Sequence, residues 1–151
     1  MSLLHIEFSA VIDASPAEVY DILSDYRIGH PAILPKPYFT KLVVEHGGKG
    51  AGTMVEVHMD VYGTKRVLHL LISEPEPGRV LVETDPEAGV ITTFTVEPFE
   101  QGSRSQVTIA TDSRANPGIQ GLLERLVNPM ITRQIYKREL EQLDDYLRRG
   151  S

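Results

Sequence analysis

From residue 38 to residue 112 the chain is punctuated by turn formers about every ten residues: Gly47-Gly48, Gly63-Thr64, Pro75 to Gly78, Asp85 to Gly89 and Gln101-Gly102. Glycine supplies the positive φ that tight turns need, and proline presets φ for a turn's first bend. Between these points apolar and polar residues alternate, the period of a strand with one face buried. The alternation runs through roughly 38–46, 53–62, 65–74, 79–85 and 90–98, and again through 104–112. Strands joined this closely form an antiparallel meander.

Different signals flank the meander. Residues 4–13 set Ile6, Phe8, Ala10 and Ile12 on one parity against His5, Glu7, Ser9 and Asp13 on the other, which predicts a first strand. Ser15-Pro16-Ala17-Glu18 reads as an N-cap, a first-turn proline and an early acid, opening a helix to about Asp25 whose inner face holds Val19, Ile22, Leu23 and Tyr26. The three prolines of RIGHPAILPKP allow only a short helix or an irregular crossover after it. The last third, Pro117 to Arg149, has helical periodicity in two stripes. Ile119, Leu122, Leu123, Leu126 and Met130 share one direction, and Tyr136, Leu140, Leu143 and Leu147 share another, about 100° away. Asn128-Pro129 lies between them, so a helix bent at the proline would keep both stripes on one sheet.

The chain has 151 residues, enough for one domain with a substantial core. It has no cysteine, which excludes disulfides, thiolate metal sites and a cysteine nucleophile. A net charge of −6 opposes nucleic acid and anionic membrane as partners. No apolar run approaches the ~20 residues of a membrane span, and Met1-Ser2-Leu3-Leu4 leads to Glu7 without a signal-peptide pattern. A cytoplasmic protein without integral membrane association is expected.

The order strand, short helices, six strands, long helix resembles the helix-grip fold of the START-like (SRPBCC) superfamily, the polyketide cyclase/dehydrase and lipid-transport type. The resemblance is carried by FSAVIDASPAEVYDILSDY (8–26), GAGT (50–53), FTVEPFEQGSRSQVTI (94–109) and the terminal helix, and it spans nearly the whole chain. Tyr20 stands where many members have tryptophan. The resemblance implies an α+β fold, a curved seven-stranded antiparallel sheet around a long C-terminal helix in the order β-α-α-β6-α, with an apolar cavity between them.

Facing follows from parity. A two-residue turn at Gly63-Thr64, glycine first, predicts Val61 opposite Arg66, Met59 opposite Leu68, Val57 opposite Leu70 and Val55 opposite Ile72, all inward. Glu56, His58, Asp60, Val67, His69 and Leu71 then face outward, with His58 opposite His69. The same logic turns Val90, Thr92, Phe94, Val96, Val107, Ile109 and Thr111 inward. Arg66 is the one charge on that face, suited to the rim, to an ion pair or to a ligand carboxylate.

Chemical motifs are sparse. The glycines of 47–52 precede a strand rather than a helix, which suits a hairpin loop and not a phosphate cradle. His58 and His69 are the best metal-like pair but lack a third ligand, so no metal or other cofactor is expected. His5, His30 and His46 are expected on surfaces or loops. Glu139, Glu141, Asp144, Asp145, Arg148 and Arg149 read as a solvated helix face. The expected function is binding of a small hydrophobic or amphipathic molecule, lipid- or polyketide-like, against Tyr26, Val57, Met59, Arg66, Leu68, Phe94, Ile109, Leu126 and Met130. A cyclase/aromatase-like enzyme with acid/base groups in the cavity is the alternative, and a protein-interaction module akin to chaperone activators a third.

Overall fold

In the computed structural model, which describes residues 3–114 and 129–150, the alternating segments become one antiparallel sheet. Its strands are β1 (Leu3–Ile12), β2 (Phe39–His46), β3 (Met54–Val61), β4 (Thr64–Glu76), β5 (Val80–Asp85), β6 (Val90–Phe99) and β7 (Arg104–Arg114). They lie in the order β1-β7-β6-β5-β4-β3-β2, so β2 to β7 form the expected meander and β1 closes one edge against β7. Helices α1 (Pro16–Ser24) and α2 (Gly29–Ile33) cross from β1 to β2, and α3 (Pro129–Gly150) ends the chain. This is the α+β helix-grip arrangement, a curved sheet with a long C-terminal helix.

Local chemistry starts α1 where the sequence indicates. The Ser15 hydroxyl accepts from the Glu18 amide at 3.4 Å, and the Glu18 carboxylate accepts from the Ser15 amide at 3.3 Å, a reciprocal capping box. Val19 and Leu23 then have no exposed surface. The glycine-rich loop is indeed structural: Gly48 O accepts from Tyr26 N at 2.9 Å, and Gly50 N donates to Ser24 O at 2.9 Å. It ties the end of α1 to the start of β3. Gly48 has a φ of +141°, a backbone conformation that residues with a Cβ rarely adopt, so glycine suits this turn.

The β3–β4 turn differs from the expected one. Its central residues are Tyr62 and Gly63, at φ 50° and 87°, flanked by the pair Val61 and Thr64. Two positive φ values make the type I′ pattern, whose twist matches the strands it joins. The Gly63 amide donates to Asp60 Oδ1 at 2.9 Å, and the Tyr62 ring meets Tyr38 edge-on at 6.1 Å, supporting the strained tyrosine. The register consequently shifts by two: Met59 faces Arg66, Val57 faces Leu68 and Val55 faces Leu70. A shift of two preserves the faces. Val55, Val57, Val61, Leu70 and Ile72 are buried as expected, while Val67 and Leu71 are exposed outside. The pairing of His58 with His69 does not survive; His58 stands opposite Val67, and His69 opposite Glu56.

The core lies between this inner face and the helices. On α3 the inward stripe is Thr132, Ile135, Tyr136, Glu139, Leu140 and Leu143, all buried at helical spacing. Of the upstream stripe, Ile119, Leu122, Leu123 and Leu126 lie outside the described residues, as does the segment leading into Pro129.

Candidate functional site

Between the inner sheet face and α3 is a cavity of about 110 Å³. Its apolar wall is built by β2, β3, β4, β6 and β7, and six of the expected residues line it: Val57, Met59, Arg66, Leu68, Phe94 and Ile109. They meet because inward parity is maintained across the β3–β4 and β6–β7 pairings, with Val57 opposite Leu68 and Phe94 opposite Ile109. Arg66 is half-buried and makes no salt bridge with any described residue.

Three expected residues fall elsewhere. Leu126 is outside the described residues. Met130 is 83% exposed and does not line the cavity. It stands nine residues before Glu139, about two and a half turns, and so points away from the inward stripe. Tyr26 is 1% exposed and sits behind the lining, with its hydroxyl donating to Glu83 Oε2 at 2.6 Å.

The polar lining comes from both sides of the cavity, from β5 within the sheet, between β4 and β6, and from α2 and α3. Glu83 on β5, His30 on α2, and Thr132, Tyr136 and Glu139 on α3 all line the cavity. His30, expected on a surface or loop, is 2% exposed on α2, stacked on Tyr26 at 4.5 Å and edge-on to Phe94 at 5.4 Å. Its Nδ1 lies 2.7 Å from the carbonyl of Leu23, which can only accept, so Nδ1 carries the proton. Nε2 is thereby turned to Glu83 Oε2 at 3.5 Å. Glu83 thus receives Tyr26 and faces His30. Thr92, Thr111 and Tyr136 form a hydroxyl chain along the same space, with 2.8 Å between the threonine oxygens and a short contact from Thr111 to Tyr136.

Glu139 is 3% exposed rather than solvated, and its Oε2 has no hydrogen-bond partner among the described residues. Burial, and then the charge of Glu83, hold its carboxyl well above the ordinary value of 4.5. Burial and Glu83 likewise push the Tyr26 hydroxyl up, and burial does the same to Tyr136. The spacing signal for Glu139 was present: it follows Tyr136 by three residues and precedes Leu143 by four, squarely on the apolar stripe. Glu83 gave a weaker one, sharing parity with Leu81 in VLVETD while the other parity holds two valines.

On the outer face, Glu45, Glu56 and His69 bring ligand-type atoms within 4.8 Å of one another. Glu45 lies at a register shift between Val44 and His46, an irregularity that re-aims a side chain. His58 Nε2 and Glu56 Oε1 are 2.6 Å apart, an outer-face ion pair when the imidazole is protonated. No third ligand beside His58 and His69 was evident from sequence, because the bulge that presents Glu45 leaves no mark in the alternation.

The family model described as polyketide cyclase / dehydrase and lipid transport matches residues 4–148. Among solved structures, the KanY protein is 26% identical, with a TM-score of 0.83 over 98% of this chain and 99% of that one. The Zhui aromatase/cyclase from Streptomyces sp. R1128 is 18% identical, with a TM-score of 0.71 over 99% of each chain. Norcoclaurine synthase from Thalictrum flavum, in complex with dopamine and hydroxybenzaldehyde, is 14% identical, with a TM-score of 0.71 over 99% of this chain and 89% of that one. No curated protein is significantly similar to the chain. Among the described residues, no helix is long and apolar enough to cross a membrane.

Proposed function

The chain belongs to the polyketide cyclase / dehydrase and lipid transport family, a membership that carries a hydrophobic-ligand-binding function, and we propose that it binds a small amphipathic molecule in the cavity between sheet and α3. The observation that carries this reading is the cavity's division into an apolar wall and a polar one. An apolar pocket with a few convergent polar groups is the usual form of a small-molecule site. About 110 Å³ takes the end of a short chain; it is smaller than the apolar cavity of about 150 Å³ that takes benzene, so a single ring enters with a small outward movement of the lining. The molecules in the norcoclaurine synthase structure, dopamine and hydroxybenzaldehyde, are of that single-ring kind. Arg66, free of a salt bridge among the described residues, suits an acidic group at the rim.

A second reading, acid–base catalysis on the bound molecule, is favoured by the arrangement of His30, Tyr26 and Glu83 beside Glu139. Burial raises the Tyr26 hydroxyl and the Glu139 carboxyl, and displaced proton affinities of this kind suit proton transfer. In this reading Glu83 and Glu139 hold and move protons while the apolar wall excludes water.

Native mass spectrometry of freshly purified protein tests the first reading through any retained molecule. Titration with 4-phenylbutyrate and with 4-phenylbutanol then isolates Arg66. Arg66→Ala is expected to weaken the acid several-fold while leaving the alcohol nearly unchanged, because only the acid loses a charge-assisted contact. Failure of both compounds to bind, with no retained molecule, would remove the reading.

A further inference from the structure

The Glu139 Oε2 atom is a buried polar atom with no hydrogen-bond partner among the described residues, on a residue that lines the cavity. Buried polar atoms in native proteins are almost always paired, so an orphan that borders a cavity marks where a ligand atom belongs. No cation forms a salt bridge with Glu139 among the described residues, and a carboxyl so enclosed is kept neutral, with one O–H to give. We infer that Glu139 donates a hydrogen bond to a carbonyl oxygen of the ligand, which makes ketones and aldehydes, rather than hydrocarbons or amines, the class this cavity selects. This deepens the binding reading above and rests on it.

The surroundings argue for an acceptor oxygen against the alternatives. An ammonium group would gain most from two ionised carboxyls, yet ionising Glu139 places a second negative charge beside Glu83 in a desolvated site. A hydrocarbon would leave Oε2 unpaired. A carboxylate ligand at this end would meet the charge of Glu83. A carbonyl adds an acceptor without adding charge, and the Phe94, Ile109 and Val57 side chains accommodate the carbon skeleton that carries it. The titratable groups around Glu139 are Glu83 on β5, His30 on α2, Tyr26 beyond α1, Tyr136 on α3 itself and Arg66 on β4. Of these, Glu83 is the one whose charge raises the Glu139 carboxyl.

Three compounds with one skeleton test the inference: acetophenone, cumene and 1-phenylethylamine, titrated by calorimetry against the full chain. Glu139→Leu should lower the preference for acetophenone over cumene about three- to tenfold, the scale of one neutral hydrogen bond. Glu139→Gln keeps a donor and should retain the preference. Acetophenone does not titrate, so its affinity for the wild type should fall as pH rises through the raised pKa of Glu139, where the donated proton is lost. In Glu139→Gln that fall should disappear, which separates Glu139 from His30 as its origin. An unchanged preference in Glu139→Leu with an unaltered circular dichroism spectrum would overturn the inference, as would tighter binding of the amine than the ketone. Binding of cumene and acetophenone with equal insensitivity to Glu139→Leu and Glu139→Gln would overturn it while sparing the binding reading. Absence of binding by all three would overturn both.

Discussion

The two walls of the cavity are built by opposite means. The wall on β3, β4, β6 and β7 places Val57, Leu68, Phe94 and Ile109 inward by strand alternation, and its cohesion is apolar burial. The polar wall, made of β5 where it runs between β4 and β6 together with α2 and α3, buries His30, Glu83 and Glu139, and depends on a few directed contacts: Tyr26 to Glu83 at 2.6 Å and His30 to Leu23 at 2.7 Å. Burial of carbon degrades gradually when a methyl group is lost, whereas a buried polar group left without its partner loses its compensation at once. The apolar wall should therefore tolerate change, and the polar wall should be brittle.

Glu83→Ala is the sharpest way to break that contrast. It strips the acceptor from the Tyr26 hydroxyl and leaves His30 Nε2 without its carboxylate. A loss of about 3 kcal/mol in urea unfolding is expected, the scale for removing one member of a buried polar pair. Glu83→Gln keeps an acceptor oxygen for Tyr26 and should lose clearly less. On the other wall, Val57→Ala removes two methyl groups from a buried site that already borders open space. Its expected cost is about 1.5 kcal/mol, near the transfer term alone. Equal costs for Glu83→Ala and Val57→Ala would erase the distinction between the walls.

The walls also differed in how much of them the sequence disclosed. Alternation locates every strand of the meander to within a few residues, because one face of each faces the core and the other does not. The same alternation places Val57, Met59, Leu68, Phe94 and Ile109 in the cavity, and Arg66 with them. Polar residues were harder, since a charged side chain in a short pattern reads as solvent-facing unless its neighbours are weighed against it. Glu139 sits among charges in RELEQLDD, and only its spacing from Tyr136 and Leu143 shows that it belongs to the apolar stripe. His30 has no periodic context at all: α2 is five residues long, and the His30 ring is held inside by the Leu23 carbonyl at Nδ1 and by the Tyr26 and Phe94 rings against it. Met130 failed for a different reason: the sequence aligns it with Ile119 to Leu126, and on α3 it stands half a turn round from Glu139 and is exposed.

The smallest effect concerns the hairpin that sets the apolar wall. Tyr62 occupies the left-handed region at φ 50°, at a cost of roughly 1–2 kcal/mol for a residue with a Cβ. Asparagine tolerates that conformation and leads type I′ turns before glycine. Tyr62→Asn relieves part of the strain but gives up the edge-on contact with Tyr38, worth about 0.5–1.5 kcal/mol when well packed and less here, where the Tyr62 ring is exposed. The expected net gain is a few tenths of a kcal/mol. Thr64, by contrast, is a strand residue paired with Val61, and a β-branched side chain suits that position. Thr64→Asn should therefore destabilise by about 0.5 kcal/mol. Thermal unfolding of the two variants side by side reads the register directly: a turn centred on Gly63-Thr64 would reverse the order, making Thr64→Asn the more stable, and would move the partners of Val57 and Met59 by two residues while leaving both on the inner face.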